Sequence, residues 1–304
     1  MLISEEKIKE FVSSAPGTAG KAKYRSLNKI ISKLRANIRA EISTNMQGWL
    51  VLLDESVKFF IYYEKYQHSL KLTSQTSPFA MQLSAVRGIV LSIRELVLLG
   101  QTSTAQALCR NFIEGIELLM ALAEDGEFAE TYVNAEDEEN FWRKYIGYGK
   151  ITPRVERFIT LGVGNSHLSH LNYHRKLKKF LSGDVHGSAS SAFYMMFPRS
   201  ISQLGSFAVG TIGAIDPNMR TLCRVVASET QLFSACVINI FTKKNLPLAL
   251  ANYEINKKFV DFITSASVLQ DLIIEFEDKL IDCENHFKHV ENAEYDNQPS
   301  RVGS

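Results

Sequence analysis

Four groupings of residues could do chemistry in this chain. The first is Arg110, Glu114 and Glu117, at spacings of four and seven. On a helix these three share one face. Ala105, Leu108, Cys109, Phe112, Ile116 and Leu119 form a broad apolar face beside them. On a solvated surface, Arg110 with Glu114 would be an i,i+4 ion pair worth roughly 0.3–0.5 kcal/mol. The helix has few other polar positions, so some burial of the pair is expected. Breaking a buried pair costs ~3–5 kcal/mol, and Arg110→Ala is then expected to destabilise clearly.

The second grouping is Ser182-x-Asp184-Val185-His186. The residues around it, 182–188, read as a sharp polar turn. A histidine there could move a proton near neutral pH, with Asp184 orienting its ring if the turn folds back. The bland alternative is a turn whose His and Asp satisfy backbone groups. The third is His167-x-x-His170-x-x-x-His174. Helical spacing puts the three imidazoles on one face, which suits zinc if a fourth ligand or a water joins. No cysteine lies nearby, and histidines on a basic helix are usually solvated, so no metal and no cofactor are expected. The fourth is basic: Arg175, Lys176, Lys178 and Lys179, with the arm at residues 21–39. Such clusters contact phosphates, so these four are the candidate nucleic-acid-binding residues, although solvated helix faces carry lysine as often.

These residues need helices to position them, and the sequence supplies helices throughout. Only seven prolines interrupt 304 residues, and a 45% hydrophobic share is ample for a core. The expected fold is all-α, a multi-helix bundle with an N-terminal helical arm at residues 1–72, a core domain at 78–287 and a disordered polar tail at 288–304. Within the arm, Leu27, Ile30, Ile31, Leu34, Ile38 and Ile42 form a narrow stripe. A second arm helix over 45–70 is rich in aromatics: Trp49, Phe59, Phe60, Tyr62, Tyr63 and Tyr66. Residues 73–78 read as a linker. Pro78 suits a first helical turn and Gly100 a helix stop. The helices over 78–99 and 103–123 are the most apolar and should be central. The acidic stretch 124–139 reads as loop or short helices, followed by helices over 138–149 and 153–160 and a break at 161–166. Further helices are expected over 167–182, 219–243, 247–263 and 265–287.

The segment Leu96-Val97-Leu98-Leu99-Gly100, then Ala105-x-x-Leu108-x-Arg110-x-x-x-Glu114, and later Leu181-Ser182-Gly183-Asp184-Val185-His186, resembles a bacterial family of uncharacterised helical proteins. That family is domain of unknown function 5677. The resemblance covers roughly residues 80–250 and leaves out the arm and tail. It implies an all-α core and groups Arg110, Glu114 and His186, with no established activity. A looser analogy is to HEPN ribonucleases, which pair an Arg and a His four to six residues apart on one helix. Here Arg110 and His186 are far apart, so that motif is absent.

Several classes fall away. No phosphate-binding G-x-x-x-x-G-K-[ST] loop, no H-E-x-x-H and no G-x-S-x-G elbow occurs. Cys109, Cys223, Cys236 and Cys283 form no C-x-x-C pair; the first three sit in apolar patterns and read as thiols in a reducing compartment. The N-terminus has no signal-peptide layout, and the longest apolar candidate, residues 204–215, falls short of the ~20 residues of a membrane span. A cytoplasmic location and no membrane partner are therefore expected. Net charge of +1 singles out no partner. The leading expectation is a non-enzymatic regulatory or interaction module that forms homo-oligomers, with RNA or protein as partner. The alternative is a metal-independent ribonuclease or phosphodiesterase, acting in phage defence, with Arg110, Glu114, Asp184 and His186 as its site.

Overall fold

The computed structural model describes Glu6, Glu10 and residues 27–165, 169–185, 218–241 and 254–296. Among them there is no strand; the helices pack as an all-α bundle. In chain order they are α1 (Leu27–Asn45), α2 (Gln47–Gln67), α3 (Thr76–Leu98), α4 (Thr102–Glu124), α5 (Gly126–Val133), α6 (Glu138–Phe141), α7 (Thr152–Val163), α8 (Ser169–Val185), α9 (Asn218–Phe241) and α10 (Lys257–Asp296). A π-helical turn, Trp142–Ile146, extends α6.

Local chemistry sets the boundaries. Helix α3 ends where Gly100 takes φ 69°, a left-handed conformation that glycine adopts without a Cβ clash. Gln101 N then donates to Leu96 O and Gly100 N to Val97 O, which satisfies carbonyls that the helix end leaves open. Asp125 begins α5 by accepting from Phe128 N at 2.9 Å. Gly162 lets α7 lie against α9: a Cβ there would sit 2.5 Å from Cys236 Cα.

The core is built on α2. Tyr63 stacks on Phe262 of α10 with ring centroids 4.3 Å apart. Phe60 meets Phe112 of α4 edge to face at 5.8 Å, and Phe59 meets Phe233 of α9 at 6.2 Å. Trp49, Leu53, Phe59, Phe60, Tyr63 and Tyr66 are all buried. The five aromatic side chains among them each bury a large area, as aromatic rings do. The division at residue 72 is therefore corrected: α2 is a central helix of the same body as α3, α4, α9 and α10, and residues 68–75 form a helix–helix connection. The aromatics are plain in the sequence; that they cover a face wide enough to be enclosed on several sides is not.

Three further boundaries change. One helix, α10, runs without a break from Lys257 across the division expected between helices over 247–263 and 265–287, and through Asp296 into the expected tail; residues 247–253 and 297–304 lie outside the described residues. The expected polar turn at 182–188 begins too early, because α8 remains helical through Val185. Finally, α9 is long and apolar enough by length and composition to cross a membrane, and 61% of its most apolar window is buried inside the bundle.

Candidate functional site

Helix α8 carries His170, His174 and Lys178 one turn apart, so they line a single ridge. The ridge faces inward. Beside it, Leu171, His174, Leu177 and Leu181 are the buried positions of α8 among the described side chains, and they follow the spacing of three and four that marks a core-facing stripe. A histidine thus occupies a place where the pattern calls for an apolar side chain. The same substitution occurs twice more. Glu117 follows Ile113 and precedes Met120 on the buried stripe of α4. Glu229 lies between Val226 and Phe233 on that of α9.

These residues meet. His174 Nε2 lies 2.5 Å from Glu229 Oε2, and His174 Nδ1 lies 3.3 Å from Glu117 Oε1. His170 Nε2 lies 3.0 Å from the other oxygen of Glu229. Lys178 Nζ donates to both oxygens of Glu117, at 2.8 and 2.7 Å. His174 is 1% exposed, Glu229 0% and Glu117 7%. The centre therefore joins three helices, with His174, Glu117 and Glu229 almost wholly removed from water and His170 and Lys178 part-buried.

Burial alone would push the His174 pKa down. The carboxylates of Glu117 and Glu229, bonded to its two nitrogens, instead raise it to about 9. Burial alone would raise Glu229; hydrogen bonds from His170 and His174 hold it at about 2. Glu117 is likewise kept below its ordinary value, against the pull of burial, by His174 and Lys178. With both ring nitrogens facing carboxylates, His174 is an imidazolium that donates twice. Two cations then balance two anions, which is the condition for tolerating such a cluster indoors.

The sequence-predicted residues divide around this centre. Arg110 Nε donates to Glu114 Oε1 at 3.0 Å, with side chains 28% and 46% exposed. The expectation of a buried pair is not met among the described residues: Arg110 is part-buried and Glu114 is exposed. Glu117, grouped with them by spacing, turns into the core instead. The expectation that the histidines are merely solvated also fails for His174, and His170 is part-buried. His167 and His186 lie outside the described residues, as does the Asp184 side chain, so the grouping of Arg110 with His186 is not defined. Arg175, Lys176 and Lys179 are exposed on the outer side of α8. Lys178 is not part of that free surface: it is committed inward to Glu117.

Sequence reasoning missed Glu117 and Glu229 as partners of the histidines. Their signal was an acid at a stripe position where every third or fourth neighbour is apolar. Compared with family models, curated proteins and solved structures, the chain matches none of them.

Proposed function

We propose that this chain is a helical regulatory module in which the charged centre governs how α8 docks and the outer face of α8 meets a partner. The observation behind the reading is the mismatch between α8 and its seat. Its neighbours α4 and α9 offer apolar stripes, yet α8 is held by His170, His174 and Lys178 on two buried carboxylates, with Leu171, Leu177 and Leu181 as its buried apolar contacts among the described side chains. A buried ionic network is weak as glue but discriminating in geometry, and a change in its charge or ligation changes what it holds. Arg175, Lys176 and Lys179 give the outer face a basic character that suits a polyanion such as RNA. A reducing compartment suits Cys109, Cys223 and Cys236, which are buried inside the bundle.

Amide hydrogen exchange on the full chain tests the reading. In Glu117→Gln, protection should fall in α8 while α2, α3 and α4 keep theirs, since local opening is cheaper than global unfolding. Protection falling uniformly across all helices would make the centre ordinary core structure and contradict the proposal.

A further inference from the structure

We infer that His170, His174 and Glu229 form a binding site for one divalent transition-metal ion of the zinc, cobalt or iron(II) class, with Glu117 orienting the ligand His174 from behind. The inference names the ligand of the centre and rests on the regulatory reading only for its consequence, the docking of α8. Four observations converge on it.

First, the donor atoms are already gathered. One ligand atom from each of the three residues lies within 4.8 Å of the others. Glu229 holds the two Nε2 atoms at 3.0 and 2.5 Å from its oxygens. Metal–nitrogen bonds of about 2.0–2.1 Å place neighbouring donors about 3 Å apart, so side-chain adjustments alone would seat an ion. Second, the histidines are one helical turn apart, the spacing at which two imidazoles on one helix can share an ion. Their ring centroids are 4.5 Å apart.

Third, the outer arrangement is the one a ligating histidine needs. A metal-bound imidazole characteristically donates its other N–H to a carboxylate, which fixes ring orientation and tautomer. His174 Nδ1 faces Glu117 Oε1, and Lys178 pins that carboxylate through both oxygens. Fourth, the donors select the ion. Two imidazoles and one carboxylate suit zinc or iron(II), whereas magnesium and calcium prefer all-oxygen shells. Three protein ligands leave a coordination position for water or another small ligand. His170, with a side chain 25% exposed, marks the side from which solvent reaches the site.

The exchange balances simply. The ion takes the place of the proton that His174 Nε2 donates to Glu229, and that proton passes to solvent. His170 Nε2 likewise gives up the hydrogen that it directs at Glu229 Oε1, by tautomerisation to Nδ1 through solvent, so both Nε2 lone pairs bond to the ion, and no electron is transferred. A doubly charged ion in place of a singly charged proton, bonded to α8 and α9 together, ties these helices more firmly than the hydrogen bonds do.

The test is calorimetric titration of the chelator-stripped full chain with zinc chloride, with cobalt chloride as a spectroscopic probe of coordination. One zinc should bind per chain. Cobalt should give visible ligand-field bands that zinc abolishes. His170→Gln should weaken zinc binding at least tenfold while circular dichroism shows the helices intact. Glu117→Gln should weaken it ~10–100-fold, as loss of an outer-shell partner does. His68→Gln, at an exposed histidine remote in sequence from the centre, should leave it unchanged. Absence of saturable one-to-one binding, or equal affinity in the parent and His170→Gln, would overturn the inference. The two proposals fail separately. If zinc does not bind but Glu117→Gln still loosens α8 alone, the metal falls and the regulatory reading stands. If zinc binds and α8 exchange responds neither to it nor to Glu117→Gln, the site stands and the regulatory reading falls.

Discussion

Helix α4 carries two ionic clusters within two turns of each other, made of similar residues and placed in opposite circumstances. Arg110 and Glu114 pair along the edge of the bundle, within one helix, and both reach solvent. Glu117 turns inward and meets His174 and Lys178 of α8, with Glu229 of α9 on the far side of the imidazole. In the first cluster water competes with each partner, so the pair gains little and loses little when broken. In the second, His174, Glu117 and Glu229 are almost closed to water, so each carboxylate is needed by the cation it faces. A cation–carboxylate pair is thus nearly neutral at one site and an obligation at the other. What separates the two is which neighbouring helix lies over them.

The largest expected effect comes from Glu229→Ala. It leaves an imidazolium in an apolar core and should cost ~3–5 kcal/mol, read as a drop in the urea midpoint of the metal-free chain. A cost below about 1 kcal/mol would mean that water enters the centre and that the contrast with Arg110–Glu114 is false. Replacing the buried set together, His174→Leu with Glu117→Leu and Glu229→Leu, should restore much of the loss, because apolar side chains of similar size need no partner and Lys178 can turn to solvent. Stability at or below that of Glu229→Ala would count against the ionic explanation of the single change.

The pH dependence follows from the same residues. His174 faces Glu117 of α4 and Glu229 of α9, with His170 and Lys178 on its own helix. Its pKa is raised from 6.5 to about 9, so its contribution is full below about 6.5 and is lost as pH rises through 9. Glu229 is lowered from 4.5 to about 2, so its contribution is present above 4.5 and is lost as pH falls through about 2. Metal-free chain should therefore be steadiest between about pH 4.5 and 6.5, and thermal melts should fall as pH rises from 7 to 9. His174→Gln should flatten the alkaline limb. An alkaline limb unchanged by that substitution would place the titration elsewhere. The smallest effect is expected for Arg110→Ala, about 0.5 kcal/mol or less. A loss several times larger would show that the edge of α4 is enclosed.

The helices themselves were largely legible, because spacings of three and four, Pro78 and Gly100 mark them directly. Their enclosure was not. Helix α2 reads as an amphipathic arm in isolation, and only the rings of Phe262, Phe233 and Phe112 laid against it reveal a core helix. The imidazole face of His170 and His174 was visible as spacing. Its carboxylates were not, since Glu117 and Glu229 stand 57 and 55 residues from His174, and no local pattern says which helices will touch. A lone acid on an apolar stripe was the available clue. On α4 it was hidden by the regular line Arg110–Glu114–Glu117, which invites a single assignment for three residues with two fates.

The contrast between the two clusters is tested most directly by a pair of double-mutant cycles measured by chemical unfolding of the metal-free chain. One cycle joins His174→Ala and Glu229→Ala, the other Arg110→Ala and Glu114→Ala. The coupling between His174 and Glu229 is expected to be about 2–3 kcal/mol, at the upper end for neighbouring residues, and that between Arg110 and Glu114 about 0.3–0.5 kcal/mol. Couplings equal within about 0.5 kcal/mol would contradict the central claim that burial across α4, α8 and α9 turns one of these clusters into the junction that holds α8.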